Sequence, residues 1–194
     1  MEINHLASIE QEIHATMKVS KSNLSWLLTT IYASPRFCKR CILWSNLANV
    51  VANHELSWVM MDDFNKVLMS SETFGGRPVN IRRVMKFHEC LDLCGMMDMG
   101  FSGAWYTWSN LRKVTKLIQE RLVRSFCNAS WRQMYPKASV KHMTRINSDN
   151  FPILVELESS TSLNLPQPFM FQPGWLAHLD FLMLYGRPGP MQNL

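Results

Sequence analysis

The sequence predicts an α/β domain with mixed sheets. Three observations carry this. Short strand-like runs are interleaved with two helical stretches. The run Trp58-Val59-Met60-Met61 is apolar throughout, as in a strand buried on both faces. This patterning ends near Glu158, where Ser159-Ser160-Thr161-Ser162 opens a tail with five prolines. Two regions follow: a domain over 12–158 and an extended, proline-rich segment over 159–194.

Taken in order, Ile13 to Val19 alternates Ile13, Ala15, Met17 and Val19 against His14, Thr16 and Lys18, a half-buried strand. Lys21-Ser22-Asn23 reads as a turn, and Ser25 to Tyr32 completes a hairpin. Pro35 closes it and opens a helix from about Arg36 to Asn53, with Leu43, Leu47 and Val50 at helical spacing. Ser57 to Met61 is a short buried strand. Gly75-Gly76-Arg77-Pro78 marks a surface loop. Asn80 caps a second helix with Ile81, Val84, Met85, His88 and Leu91 inward, ending at Gly95. Further strands are predicted at Met96–Met99, Trp105–Trp108, Ile118–Arg124, Ala138–His142 and Ile153–Leu157, with a turn at Ser102-Gly103 and a helical turn near Ser130-Trp131.

At 194 residues, 47% hydrophobic and 18% charged, the chain can bury a core and is not a disordered polyampholyte. A net charge of +5 with pI about 9.1 is compatible with a polyanionic partner. No apolar run approaches the roughly 20 residues of a membrane helix, and Met1 to Lys18 has no signal-peptide core. The expected setting is intracellular, nuclear or cytoplasmic. Cys38-x-x-Cys41 and Cys90-x-x-x-Cys94 have spacings worth weighing for zinc, but each lies in a helical pattern where buried free thiols fit better.

The chemistry-bearing segments are strand ends. Trp58 to Met61 runs into Asp62-Asp63-Phe64-Asn65, and residues two apart on a strand share a face. Asp63 and Asn65 so placed can orient a water and hold a phosphate oxygen. With Tyr32-Ala33-Ser34-Pro35 before them and Glu72-x-Phe74-Gly75-Gly76-Arg77-Pro78 after them, these segments resemble the endonuclease domain of plant LINE-type retrotransposons. That family belongs to the endonuclease/exonuclease/phosphatase, or DNase I-like, superfamily. Met99-Gly100-Phe101-Ser102-Gly103, Tyr106-Thr107-Trp108-Ser109-Asn110, Glu120-Arg121-Leu122 and Arg145-Ile146-Asn147-Ser148-Asp149 extend the resemblance. The tail through Trp175 to Phe181 is similar to the connector toward a reverse transcriptase.

The resemblance implies a four-layer α/β sandwich and Mg²⁺-dependent hydrolysis of DNA phosphodiesters, nicking an insertion site. By motif, Asp63 and Asn65 match the pair that positions water, Tyr32 a tyrosine on the scissile phosphate, and Asp149 an aspartate close to the metal. Trp108 and Asn110 lie on a loop that resembles a DNA-facing one, with core packing the other reading of Trp108, and Arg77 is a candidate nucleic-acid contact. No small-molecule cofactor is implied. The basic residues Lys39, Arg40, Arg82, Arg83, Arg112, Lys113, Lys116, Arg121 and Arg124 are further candidates for phosphate contacts.

Three departures point to lost activity. Asn150 stands where the family has histidine, and an amide neither titrates nor becomes a cation. Val123 stands at the position of the aspartate that orients this histidine. Asp62 stands where the family has glycine, adding a like charge beside Asp63. The family domain also begins with roughly a hundred further residues, which carry the main metal-binding glutamate. The expectation is therefore a partial sandwich with its first part missing, a sheet edge and an apolar face uncovered, and doubtful Mg²⁺ binding.

Overall fold

The computed structural model describes residues 1–19, 24–145 and 150–157. The turn at Lys21-Ser22-Asn23, Asp149 and the tail 159–194 lie outside the described residues. The first half comprises β1 (Glu2–Ile9), β2 (Glu12–Lys18), β3 (Ser25–Tyr32), α1 (Phe37–Asn53), β4 (Trp58–Asp63), β5 (Thr73–Phe74) and α2 (Ile81–Leu93). The second comprises β6 (Met96–Asp98), β7 (Trp108–Ser109), β8 (Gln119–Glu120), β9 (Val123–Asn128), α3 (Ala129–Met134), β10 (Ser139–His142) and β11 (Ile153–Glu156).

A six-stranded sheet of order β1-β2-β3-β4-β9-β6 forms the centre, beside a three-stranded β5-β8-β7 sheet and the β10-β11 pair. β3 and β4 run parallel because α1 carries the crossover, while the other pairs are antiparallel. Strand alternation sends the side chains of β3 and β4 to two cores. Leu27, Ile31, Trp58 and Met60 pack under α1 and α2 with Leu43, Leu47, Phe87 and Phe126. Trp26 and Val59 face the other way, onto Cys127, Trp131 and Ala138. Ring contacts lock the first core: Trp44 stacks on Phe87 at 4.6 Å, and Phe64 meets Phe126 edge-on at 4.9 Å.

Several expectations require correction. β2 is not half-buried: Ala15 and Met17 are buried on one face, Glu12 and His14 on the other, and Ile13 is exposed. In α2, Asn80 does cap through the Arg83 amide, but Ile81, Met85 and His88 face outward. Val84, Phe87, Cys90 and Leu91 face the core. The run Ile118–Arg124 splits into β8 and β9, which belong to different sheets. Residues 105–107 are not strand, and β7 begins only at Trp108. All five cysteines are free, with Cys90, Cys94 and Cys127 buried but Cys38 exposed. β1 went unassigned in the sequence because all eight of its residues are exposed and show no alternation.

Arg121 and Arg124, two of the predicted phosphate contacts, are instead interior residues, 7% and 0% exposed. Arg121 bonds Glu72 at 3.2 Å and Asp98 at 3.0 Å, and its guanidinium lies over the Phe101 ring at 4.2 Å. Arg124 bonds Asp98 at 2.9 Å and also Glu72. Glu72 further accepts the Leu68 and Met69 amides, so its carboxylate is fully engaged. These four side chains join β9 to β6 and to the segment leading into β5. Arg40 is also buried, donating to the Ser34 carbonyl.

Candidate functional site

The site lies where β3 and β4 end. Their parallel register sets Tyr32 beside Asp63, and the Ala33 amide donates to the Asp63 carbonyl at 2.8 Å. Tyr32 is 72% exposed and Asp63 only 4%. The Asp63 Oδ1 accepts the Asn65 amide at 2.8 Å, an Asx turn that fixes the carboxylate just past the strand. The Asn150 amide donates to Asp63 Oδ2 at 3.4 Å, and a bridge between Trp108 and Asn150 holds that residue in place.

Tyr32, Asp63, Asn65, Trp108 and Asn150 line one cavity of about 370 Å³, together with Pro35, Glu120 and Leu122. Five of the predicted site residues are thus brought together. Val123 is not on the cavity wall: it is 2% exposed, directly opposite Asp63 in the β4–β9 ladder. Asn110 is committed to its own loop, accepting from the Arg112 and Ile118 amides and donating to the Lys116 carbonyl. Arg77 is exposed on the Gly75-Gly76 loop and does not line the cavity. Asp149 lies outside the described residues.

Sequence reasoning missed Glu120 as a site residue. Its strand pairs it with Trp108 on one side and Thr73 on the other, which carries it to the cavity. Burial pushes its carboxyl above the ordinary value of 4.5, opposed by Lys66 and Arg40. A carboxyl raised on folding favours the folded state at low pH, and this contribution is lost as pH rises through the folded value. Glu120→Gln is therefore expected to stabilise the protein at neutral pH, with the gain vanishing below about pH 4.5. Urea unfolding of both proteins across pH measures it; a gain that grows on acidification would contradict it.

Asp62 adopts φ +99°, a conformation suited to glycine. Such strain costs on the order of 1–3 kcal/mol. Asp62→Gly is expected to stabilise the domain by about 1 kcal/mol, the relief being partly offset by glycine's unfolded-state entropy. A destabilised variant in thermal unfolding would show that the side chain contributes more than its backbone costs.

Among the described residues the cavity wall carries two carboxylates, Asp63 and Glu120, and no lysine or arginine. A Mg²⁺ ion, implied by the sequence resemblance, needs an octahedron of oxygens, usually with one or two carboxylates. Among the described residues no group of three His, Cys, Asp or Glu side chains is placed to hold a metal. Asp63 also spends its oxygens on Asn65 and Asn150. Among the described residues, Asp63 and Glu120 are the carboxylates that the cavity could offer such an ion.

Among the described residues no helix is long and apolar enough to cross a membrane. No family model and no curated protein matches the chain. Among solved structures, it is similar to the endonuclease domain of TRAS1, a telomere-specific non-LTR retrotransposon, with TM-score 0.60 and 12% identity. That likeness covers 79% of this chain and 68% of that one. It is also similar to beta toxin from Staphylococcus aureus, with TM-score 0.52 and 13% identity, over 75% of this chain and 56% of that one. The mixed sheets, their helices and these likenesses give the chain a DNase I-like, endonuclease/exonuclease/phosphatase-like fold.

Proposed function

We propose that this chain is a degenerate, retrotransposon-derived endonuclease domain that no longer hydrolyses phosphodiesters. One observation carries the reading: the Asn150 amide occupies the Asp63 carboxylate at 3.4 Å, where the resembling family places histidine. Hydrolysis needs a group that supplies a proton or positive charge as the phosphorane forms. An amide does neither. Val123, at the position of the aspartate that would orient the histidine, brings a buried isopropyl group instead. Members of one catalytic unit act together, so losing both removes at least about a thousandfold in rate.

What remains supports contact with DNA outside the cavity. Arg77, Arg82, Arg83, Arg112, Lys113 and Lys116 are exposed, and Tyr32 presents an open ring. Two carboxylates, with no lining cation among the described residues, make the cavity itself a poor seat for a bare phosphate.

The test is a labelled duplex incubated with the protein and Mg²⁺, read for both anisotropy and integrity. The account expects an intact duplex bound with an affinity that falls steeply with salt, since each phosphate contact releases a counterion. Cleavage would overturn the loss of catalysis, and salt-insensitive affinity would overturn the phosphate contacts.

A further inference from the structure

The second core covers only part of its face of the central sheet. Register sets Ile3 opposite Met17 and Ser8 opposite Ile13, while Met17, Ala15 and Ile13 lie opposite Trp26, Leu28 and Thr30. Directly paired residues share a face, so these positions belong to the side on which Trp26 meets Trp131. Met17 and Trp26 are buried there, whereas Ile3 is 66% exposed, Ile13 is 47% exposed and Leu28 is half-buried. Among the described residues, no paired position on this face of β1, β2 and β3 is Asp, Glu, Lys or Arg. Glu2, Glu12 and Lys18 all fall on the opposite face. A sheet face left to water is normally polar, so this one is suited to a cover.

The chain leaves the described residues at this face. Val155 in β11 and Leu157 just after it pack against the same core, as do Leu28 and Met61. Within the tail that follows, residues 175–185 read Trp-Leu-Ala-His-Leu-Asp-Phe-Leu-Met-Leu-Tyr, nine apolar residues of eleven. At strand spacing Trp175, Ala177, Leu179, Phe181, Met183 and Tyr185 share one wholly apolar side, and His178 and Asp180 fall on the other. Reach is not limiting, because residues 158–174 span up to about 55 Å when extended and neighbouring strands lie about 4.8 Å apart. We propose that segment 175–185 docks on the open face of β1, β2 and β3 of its own chain, its apolar side covering Ile3, Ile13 and Leu28. β2 and β3 are hydrogen-bonded on both sides, so an apolar cover over them strands no backbone group. This inference is independent of the chemistry at Asp63.

The test uses the full chain with the photo-cross-linker p-benzoylphenylalanine at position 181, irradiated as a mixture of ¹⁴N- and ¹⁵N-labelled protein. Cross-links within one chain to peptides bearing Ile3, Ile13 or Leu28 are expected. Light-to-heavy cross-links would show a second copy on the face, and cross-links confined to α1 and α2, or none, would show that the segment does not dock there. Each of these outcomes overturns the proposal. A second measurement is chymotrypsin cleavage within 175–185. Ile13→Lys, at a position already 47% exposed, is expected to speed cleavage at least about tenfold, because losing an apolar contact raises the open population. Phe181→Ser, which leaves the described residues untouched, is expected to speed cleavage after Trp175 in the same way. Ile42→Lys is expected to change nothing, being 60% exposed on α1, which packs on the opposite face. Cleavage as fast in the unaltered protein as in Ile13→Lys and Phe181→Ser would overturn the proposal.

Discussion

Arg124→Met is expected to destabilise the domain by about 3–5 kcal/mol, the usual cost of breaking a buried pair from one side. Arg124 is fully buried and bonds both Glu72 and Asp98. Burial pushes its guanidinium below the ordinary value, with Arg121 adding repulsion, so the two carboxylates are what hold it charged. Removing it leaves Glu72, itself 2% exposed, with Arg121 as its one remaining cationic partner among the described residues. Domains of this kind are stable by roughly 5–15 kcal/mol, so the variant sits near the unfolding threshold. Urea denaturation measures the change. A loss below about 1 kcal/mol would show that the four-charge network is replaceable by packing.

Introducing the residues that the resembling family carries at positions 123 and 150 is the second large effect. Val123→Asp alone is expected to cost on the order of 3 kcal/mol, because it buries a carboxylate in the ladder position opposite Asp63. Adding Asn150→His supplies a group that becomes cationic beside both carboxylates, since Asn150 already reaches Asp63. The double variant is therefore expected to recover about 1–2 kcal/mol relative to the sum of the single changes. A double-mutant cycle of unfolding free energies at pH 6 checks this. Additivity within about 0.5 kcal/mol would mean that positions 123 and 150 do not meet at Asp63.

How much of this was legible follows from how local each signal is. Tyr32, Asp63 and Asn65 sit at strand ends that the apolar runs announce directly, and the parallel β3–β4 pairing follows from the intervening helix. Asn150 was assigned by motif alone, and the fold brings it 87 positions back to Asp63. Glu120 was hidden because Ile118–Arg124 reads as one strand, whereas Arg121 and Leu122 are the corner between two sheets. The burial of Arg121 and Arg124 depends on Glu72, about fifty positions earlier, and no local pattern reports such a pairing. The inward face of α2 was misplaced because Ile81 and Met85 are apolar yet exposed. His14 reads as part of a solvent face in an alternating strand, but it is buried at 5% exposure.

We propose that this DNase I-like fold does not hydrolyse phosphodiesters at Asp63. The most direct test is nicking of supercoiled plasmid by the folded protein with Mg²⁺ or EDTA, beside Asp63→Ala. The account predicts no nicking above the Asp63→Ala background in either condition. Mg²⁺-dependent nicking that disappears in Asp63→Ala would contradict it, and would show that Asn150 and Val123 support hydrolysis.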